Sequence, residues 1–118
     1  MDRWKFGIDN DMLVKLVLMG KKTATSYLYD ESDLPVVGEE SIICFNDNSN
    51  ACMIKTLDFK IMKFKDMTCE FAEMEGEGDL SLDYWKKVHY KYFKDLNNDF
   101  NEESLIIFEM FSVIKKFN

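Results

Sequence analysis

The chain reads as an α+β protein: a small, mostly antiparallel sheet with about three helices around it. Strand-like segments are separated by turn signals, most clearly "ESIICF" and "ACMIKTLDFKIMKF" on either side of "NDNSN". Apolar residues recur at helical spacing in separate places along the chain. The order (helix, several strands, two helices, strand) segregates the two classes instead of alternating them, as in α+β folds. Closing such a sheet into a small barrel would protect its edge strands, but the pattern by itself does not require closure.

The first helix covers about residues 10 to 19. Asp9 or Asn10 would cap it, Met12, Leu13, Leu16 and Val17 make its apolar face, and Gly20 stands at its end. "TATSYLY" follows as a strand, and Pro35 sits in the loop "DESDLPVVGEE". The second hairpin strand is long and should bend near Thr56 to Asp58. "DMTCEFAEME" forms a short helix with Phe71 and Met74 inward, ended by Gly76. A third helix starts near Ser81 with Leu82, Trp85, His89, Tyr92 and Leu96 on one face. "SLIIFEMFSVIKK" is the closing strand.

Composition narrows the function classes. The 118 residues suit one domain, taken as residues 1–118. No apolar run approaches the roughly 20 residues needed to span a bilayer, so no membrane partner is expected. The start, "MDRWKFGIDND", lacks the features of a signal peptide, and a cytoplasmic protein is expected. Cys44, Cys52 and Cys69 are odd in number without CxxC spacing, which suits reduced thiols filling apolar space and argues against zinc. No cofactor motif is present. The 22 acids and 15 bases give a net charge of −7, which repels nucleic acid at long range. Arg3 is the only arginine, so the bidentate fork for phosphate and guanine is nearly absent. A DNA partner is therefore not expected and a broad RNA-coating surface is disfavoured, while a local basic pocket remains open.

Two segments hold the candidate residues. "GKKTATS" lacks the spacing of a phosphate loop, but it sets Lys21 and Lys22 beside the hydroxyls of Thr23, Thr25 and Ser26. On a strand, Thr23 and Thr25 share one face, and Ala24 and Ser26 the other. A lysine there either meets the free carbonyls of the preceding helix end or activates a neighbouring hydroxyl. The second segment places Glu73, Glu75, Glu77 and Asp79 at alternate positions among Gly76 and Gly78. These acids are a solvated turn, or Glu75, Glu77 and Asp79 hold a hard cation, or one carboxylate faces a lysine for proton transfer. His89 is the only histidine and should lie near Trp85. Trp4, Phe6 and Trp85 fill the core or stack on a base.

Taken together, "RWKFG", "LVLMGKKTATSYL", "LPVVGEESII", "CMIKTLDFKIMKFKDM", "EFAEMEGEGDLSLDYWKKVHYKYF" and "IIFEMFSVI" resemble the ASCH domain family, in its longer "EGEGD…SLxYW" form, from Trp4 to Val113. The resemblance implies a PUA-like fold, a small and mostly antiparallel β-barrel with helices around it. It also implies an association with RNA or modified nucleosides. Longer relatives carry about one more helix before "WKFG", which implies either a less covered cleft or a chain that starts upstream. The family's cleft lies between "GKKTAT" and "AEMEGEGD", which makes Trp4, Phe6, Lys21, Ser26, Glu77, Asp79, Trp85 and His89 candidate ligand-binding residues. Short relatives hydrolyse acetylated cytidine with a lysine, a threonine three residues on and a glutamate, matching Lys22, Thr25 and Glu75. Those relatives carry an arginine two residues after the threonine, where this chain has Tyr27. The resemblance thus implies a nucleoside or short-RNA cleft with hydrolase-like residues. The alternatives are a non-enzymatic RNA-binding module and a metal-dependent ribonuclease.

Overall fold

A computed structural model describes residues 1–117; Asn118, the last residue of the expected domain, lies outside them. The elements are β1 (Arg3–Trp4), α1 (Asn10–Leu18), β2 (Ala24–Leu28), β3 (Glu40–Cys44), β4 (Asn50–Lys63), α2 (Cys69–Glu75), α3 (Leu82–Leu96) and β5 (Leu105–Lys116), with a 3-10 turn at Phe64–Asp66. Five strands form one sheet in the order β1-β3-β4-β5-β2. β1 runs parallel to β3 and every other pair is antiparallel, so the sheet is mixed.

The expected barrel does not close. Among the described residues no ladder joins β1 to β2, and these two strands remain the edges. The long β4 supplies curvature instead. Its register with β5 shifts between Met53 and Ile54 and again between Thr56 and Asp58, where Leu57 is the extra residue. Bulges of this kind bend a strand and raise its twist.

Helices cover both faces. One face packs α1 on Ile43, Cys52, Ile54 and Phe111 through Val14 and Val17. The other packs α2 and α3 on Phe64, Ile106 and Phe108 through Ala72, Trp85 and Phe93. Two helix faces differ from expectation. In α1 the buried stripe is Asn10, Leu13, Val14 and Val17, leaving Met12 52% exposed. Asn10 is drawn inward because its side-chain amide donates to the Cys44 carbonyl at 3.0 Å and its oxygen accepts the Phe6 N–H at 2.7 Å. In α3 the buried stripe is Trp85, His89 and Phe93, while Leu96 is 58% exposed at the helix end. Asp9 occupies the cap position of α1 without a side-chain bond, whereas Thr68 and Ser81 cap α2 and α3 through the N–H groups of Phe71 and Tyr84.

All three cysteines are free; Cys44 and Cys52 are buried as expected, but Cys69, in the first turn of α2, is exposed. Burial pushes the Cys52 thiol up to about 11. A thiol reagent should therefore modify one cysteine in native protein and all three after denaturation, with Cys69→Ser removing the native reaction.

Candidate functional site

The site is assembled where α2 ends. Gly76 takes the left-handed conformation that stops α2, at φ 70°. It lies so close to the chain before β2 that a Cβ there would sit 2.1 Å from the Lys21 carbonyl oxygen. The Thr23 N–H donates to the Met74 carbonyl at 2.8 Å and fastens the two segments together. This contact brings Glu75 and Glu77 onto Lys22.

Lys22 and Glu75 are essentially fully buried, at 1% and 0% exposure. The Lys22 Nζ donates to Glu77 Oε2 at 2.7 Å, to Glu75 Oε1 at 3.4 Å and to the Glu75 carbonyl at 3.3 Å. Its ammonium also lies 5.5 Å from the centroid of the Phe6 ring, within cation–π range. The other Glu75 oxygen, Oε2, accepts from the Ser26 hydroxyl and from Trp85 Nε1, the latter at 2.8 Å. The His89 ring stacks on Trp85, with centroids 4.3 Å apart. Its Nδ1 lies 2.9 Å from the Trp85 carbonyl oxygen, which can only accept. That bond takes up Nδ1 and turns Nε2 toward Glu75 Oε1, at 3.5 Å. Burial alone would push the Glu75 carboxyl up. The Lys22 ammonium, His89 and the Ser26 bond together hold it below the usual carboxylate range.

The cluster forms one end of a cavity of about 570 Å³ that Lys22, Ser26, Glu77 and His89 line directly. Both edge strands line the same cavity, β1 through Trp4 and β2 through Thr25 and Tyr27. It thus occupies the opening a closed barrel would have sealed. Trp4 and Phe6 meet edge to face at 5.0 Å on its wall, and Trp4 Nε1 donates to the Ser41 hydroxyl at 3.0 Å.

The structure therefore brings together Lys22, Ser26, Glu75, Glu77, Trp85 and His89, with Trp4 and Phe6 on the wall. Trp85 supports from behind and offers no stacking surface, being 2% exposed. Thr25 lines the cavity, but no hydrogen bond joins it to Lys22. Strand alternation is the reason: Lys22, Ala24 and Ser26 fall in step, and Thr25 falls on the other face. Lys21 and Asp79 are exposed and outside the cavity, and the Asp79 carboxylate accepts from the Ser81 N–H at 2.9 Å. Tyr27, Thr56, Tyr92 and Glu109, which sequence reasoning missed, line the cavity as well. A lone acid inside the apolar run "IIFEMF" was the available signal for Glu109.

Ligand atoms of Glu75, Glu77 and His89 lie within 4.8 Å of one another, a spacing suited to a metal. The oxygens they would offer, Glu75 Oε1 and Glu77 Oε2, already bind Lys22. A metal there would have to displace a buried ammonium, so the donor set fits one poorly, and Asp79 does not belong to it.

A half-open mixed sheet with α1 on one face, α2 and α3 on the other, and a lysine–carboxylate site at its gap defines the class. The sequence model of the ASCH domain matches residues 2–115, and the chain belongs to the ASCH domain family, which is generally thought to bind RNA. The crystal structure of an ASCH domain from Lactobacillus crispatus JV V101 is similar with a TM-score of 0.90 and 26% identity, over 97% of this chain and 79% of that one. The crystal structure of a protein from Enterococcus faecalis V583 is similar with a TM-score of 0.87 and 29% identity, over 99% and 82%. A hypothetical protein, PH0355, shares the fold at a TM-score of 0.65 and 19% identity, over 95% and 99%. No curated protein matches the chain. Among the described residues no helix is long and apolar enough to cross a membrane.

Proposed function

We propose that the chain acts as a single cytoplasmic ASCH domain whose cleft binds one modified nucleoside, or a short RNA through one splayed base. The observation that carries this reading is the polar end of the cavity, where Lys22, Ser26, Glu77 and His89 converge with Glu75 behind them. A nucleobase offers donors and acceptors on its edge and apolar faces above and below. Glu77, held in place by Lys22, and His89 suit the edge, and Trp4, Phe6 and Tyr92 suit the faces. The volume of about 570 Å³ falls in the small-ligand range. The net charge of −7 favours one nucleoside over a long phosphate backbone.

The test is thermal stability against nucleosides, acetylated nucleosides and short RNAs. A ligand at about 100 times its dissociation constant adds roughly 2.7 kcal/mol, an easily measured shift. The expected result is a nucleoside shift that barely changes with salt and shrinks in Glu77→Gln, whose side chain is only 11% exposed. A shift with RNA alone, lost steeply in salt, would instead mean a non-enzymatic RNA-binding module. No shift with any of them would overturn the reading.

The contact of Lys22 with Glu75 beside a cavity that Thr25 also lines supports a second reading, hydrolysis of an amide on the bound base. Lys22 and Thr25 stand on opposite faces of β2, so the hydroxyl proton of Thr25 passes to Lys22 through one cleft water as Oγ attacks the amide carbonyl. Glu75 relays a proton to the departing amine, and water frees the acyl group from Thr25. Acetate release from N4-acetylcytidine should stop in Thr25→Ala; unchanged release in that variant would eliminate Thr25 as nucleophile.

A further inference from the structure

We propose that the cleft has a second polar pole, Glu109 held by Tyr27 and Thr56, which selects a positively charged, phosphate-free ligand. This deepens the nucleoside reading and rests on it only for the nucleoside part of the ligand.

Glu109 lies opposite Thr25 in the β5–β2 ladder, so it shares the sheet face of Thr25 and Tyr27. That is the other face of β2 from Ser26, and the pole is therefore separate from the Lys22 cluster. The Tyr27 hydroxyl donates to Glu109 Oε1 at 2.5 Å and the Thr56 hydroxyl to Oε2 at 2.9 Å. The two bonds fix the carboxylate plane while each oxygen keeps a lone pair free. Burial and the adjacent Glu109 push the Tyr27 phenol up, so it stays a donor. Both partners are neutral, and among the described residues no lysine, arginine or histidine forms an ion pair with Glu109. A half-buried carboxylate that lines a cavity without a counter-ion is a strong attractor for a cation.

The other cations on the cavity are committed elsewhere. Lys22 binds Glu77, Arg3 donates to the Asn48 carbonyl at 2.5 Å, and Lys5 donates to Asn48 Oδ1 at 2.6 Å. Arg3 and Lys5 are held at the β3–β4 turn by these neutral partners, and it is the net charge of −7 together with the unpaired Glu109 carboxylate that disfavours a phosphate. The Trp4 and Phe6 rings on the wall favour a cationic ring further. The chemical class is thus a nucleoside with a cationic base, or a small quaternary amine.

Calorimetric titration with four probes tests this: 1-methyladenosine, cationic at neutral pH; its neutral isomer N6-methyladenosine; 1-methyladenosine 5′-monophosphate; and tetramethylammonium. The cationic isomer should bind about tenfold tighter than the neutral one, and the monophosphate more weakly than its nucleoside. Glu109→Gln should bring the isomer ratio close to one, whereas Tyr27→Phe, which keeps the charge, should preserve it. Equal binding of both isomers, or tighter binding of the monophosphate, would overturn the second pole and leave the nucleoside reading standing. Binding of tetramethylammonium without either nucleoside would uphold the pole and overturn the nucleoside reading. Silence from all four probes would overturn both. The isomer ratio in the unmodified protein decides the matter even if Glu109→Gln fails to fold.

Discussion

Glu75→Ala should lose about 3–5 kcal/mol of stability, the cost of removing one partner from a buried charged network. The truncation strands three groups at once. Trp85 Nε1 and the Ser26 hydroxyl lose their acceptor, and Lys22, itself 1% exposed, keeps only Glu77 as counter-ion. Urea denaturation should show the midpoint falling with an unchanged slope, and the melting temperature should drop by about 10–20 °C. Glu75→Gln retains shape and one acceptor and should cost less, about 1–3 kcal/mol. The pair also separates charge from shape through pH. The native Glu75 carboxyl is held below its ordinary value of 4.5. The unfolded chain therefore takes up that proton first as pH falls. The stabilisation is complete above the ordinary carboxylate value and drains away as pH drops through the lower native one. Exposed carboxylates such as Asp30 and Asp79 are shifted the same way, so the informative quantity is the difference between the two proteins. Glu75→Gln should unfold less steeply with acid below pH about 4.5. Identical acid profiles would mean that the native Glu75 carboxyl is not held below its ordinary value.

The sequence made the long elements legible because hairpin signals and helical spacing are local. "NDNSN" sits at the β3–β4 turn, and β4 bulges within the stretch expected to bend. The two-residue β1 was invisible, since its pairing with β3 depends on a partner about forty residues away in the chain. Barrel closure was likewise a long-range question, and the bulged β4 curves the sheet without joining its edges. In the site, Lys22 and Glu75 followed from the family pattern, but their contact depends on Gly76 meeting the Lys21 backbone, which no spacing rule expresses. The Lys22–Ser26 relation was available from alternation alone. The signal for Glu109 was ambiguous, because a single acid in an apolar strand looks the same whether it faces solvent or a cavity.

Gly76→Ala should be the other severe substitution, and it tests how the site is built rather than what it binds. The glycine has two separate reasons to be there. Its φ of 70° is left-handed, which costs an alanine about 1–2 kcal/mol. In addition, the new Cβ would meet the Lys21 carbonyl at 2.1 Å and its carbon at 2.6 Å, both backbone atoms. A flexible side chain could swing away from such a clash, but two backbones fastened by the Thr23–Met74 bond must separate. Overpacking adds about 1–3 kcal/mol, so the expected total is about 2–5 kcal/mol in urea denaturation. Gly38→Ala is the control: its φ of 91° is also left-handed, but no atom lies within 4 Å of the added Cβ. That variant should show the conformational cost alone. If Gly76→Ala costs no more than Gly38→Ala, α2 and the chain before β2 are not in close contact. Where the excess is present, a folded fraction of Gly76→Ala should also bind nucleoside more weakly, because separating the two segments draws Glu75 and Glu77 away from Lys22. Stability at this glycine and recognition at the cavity are then two readings of one backbone contact.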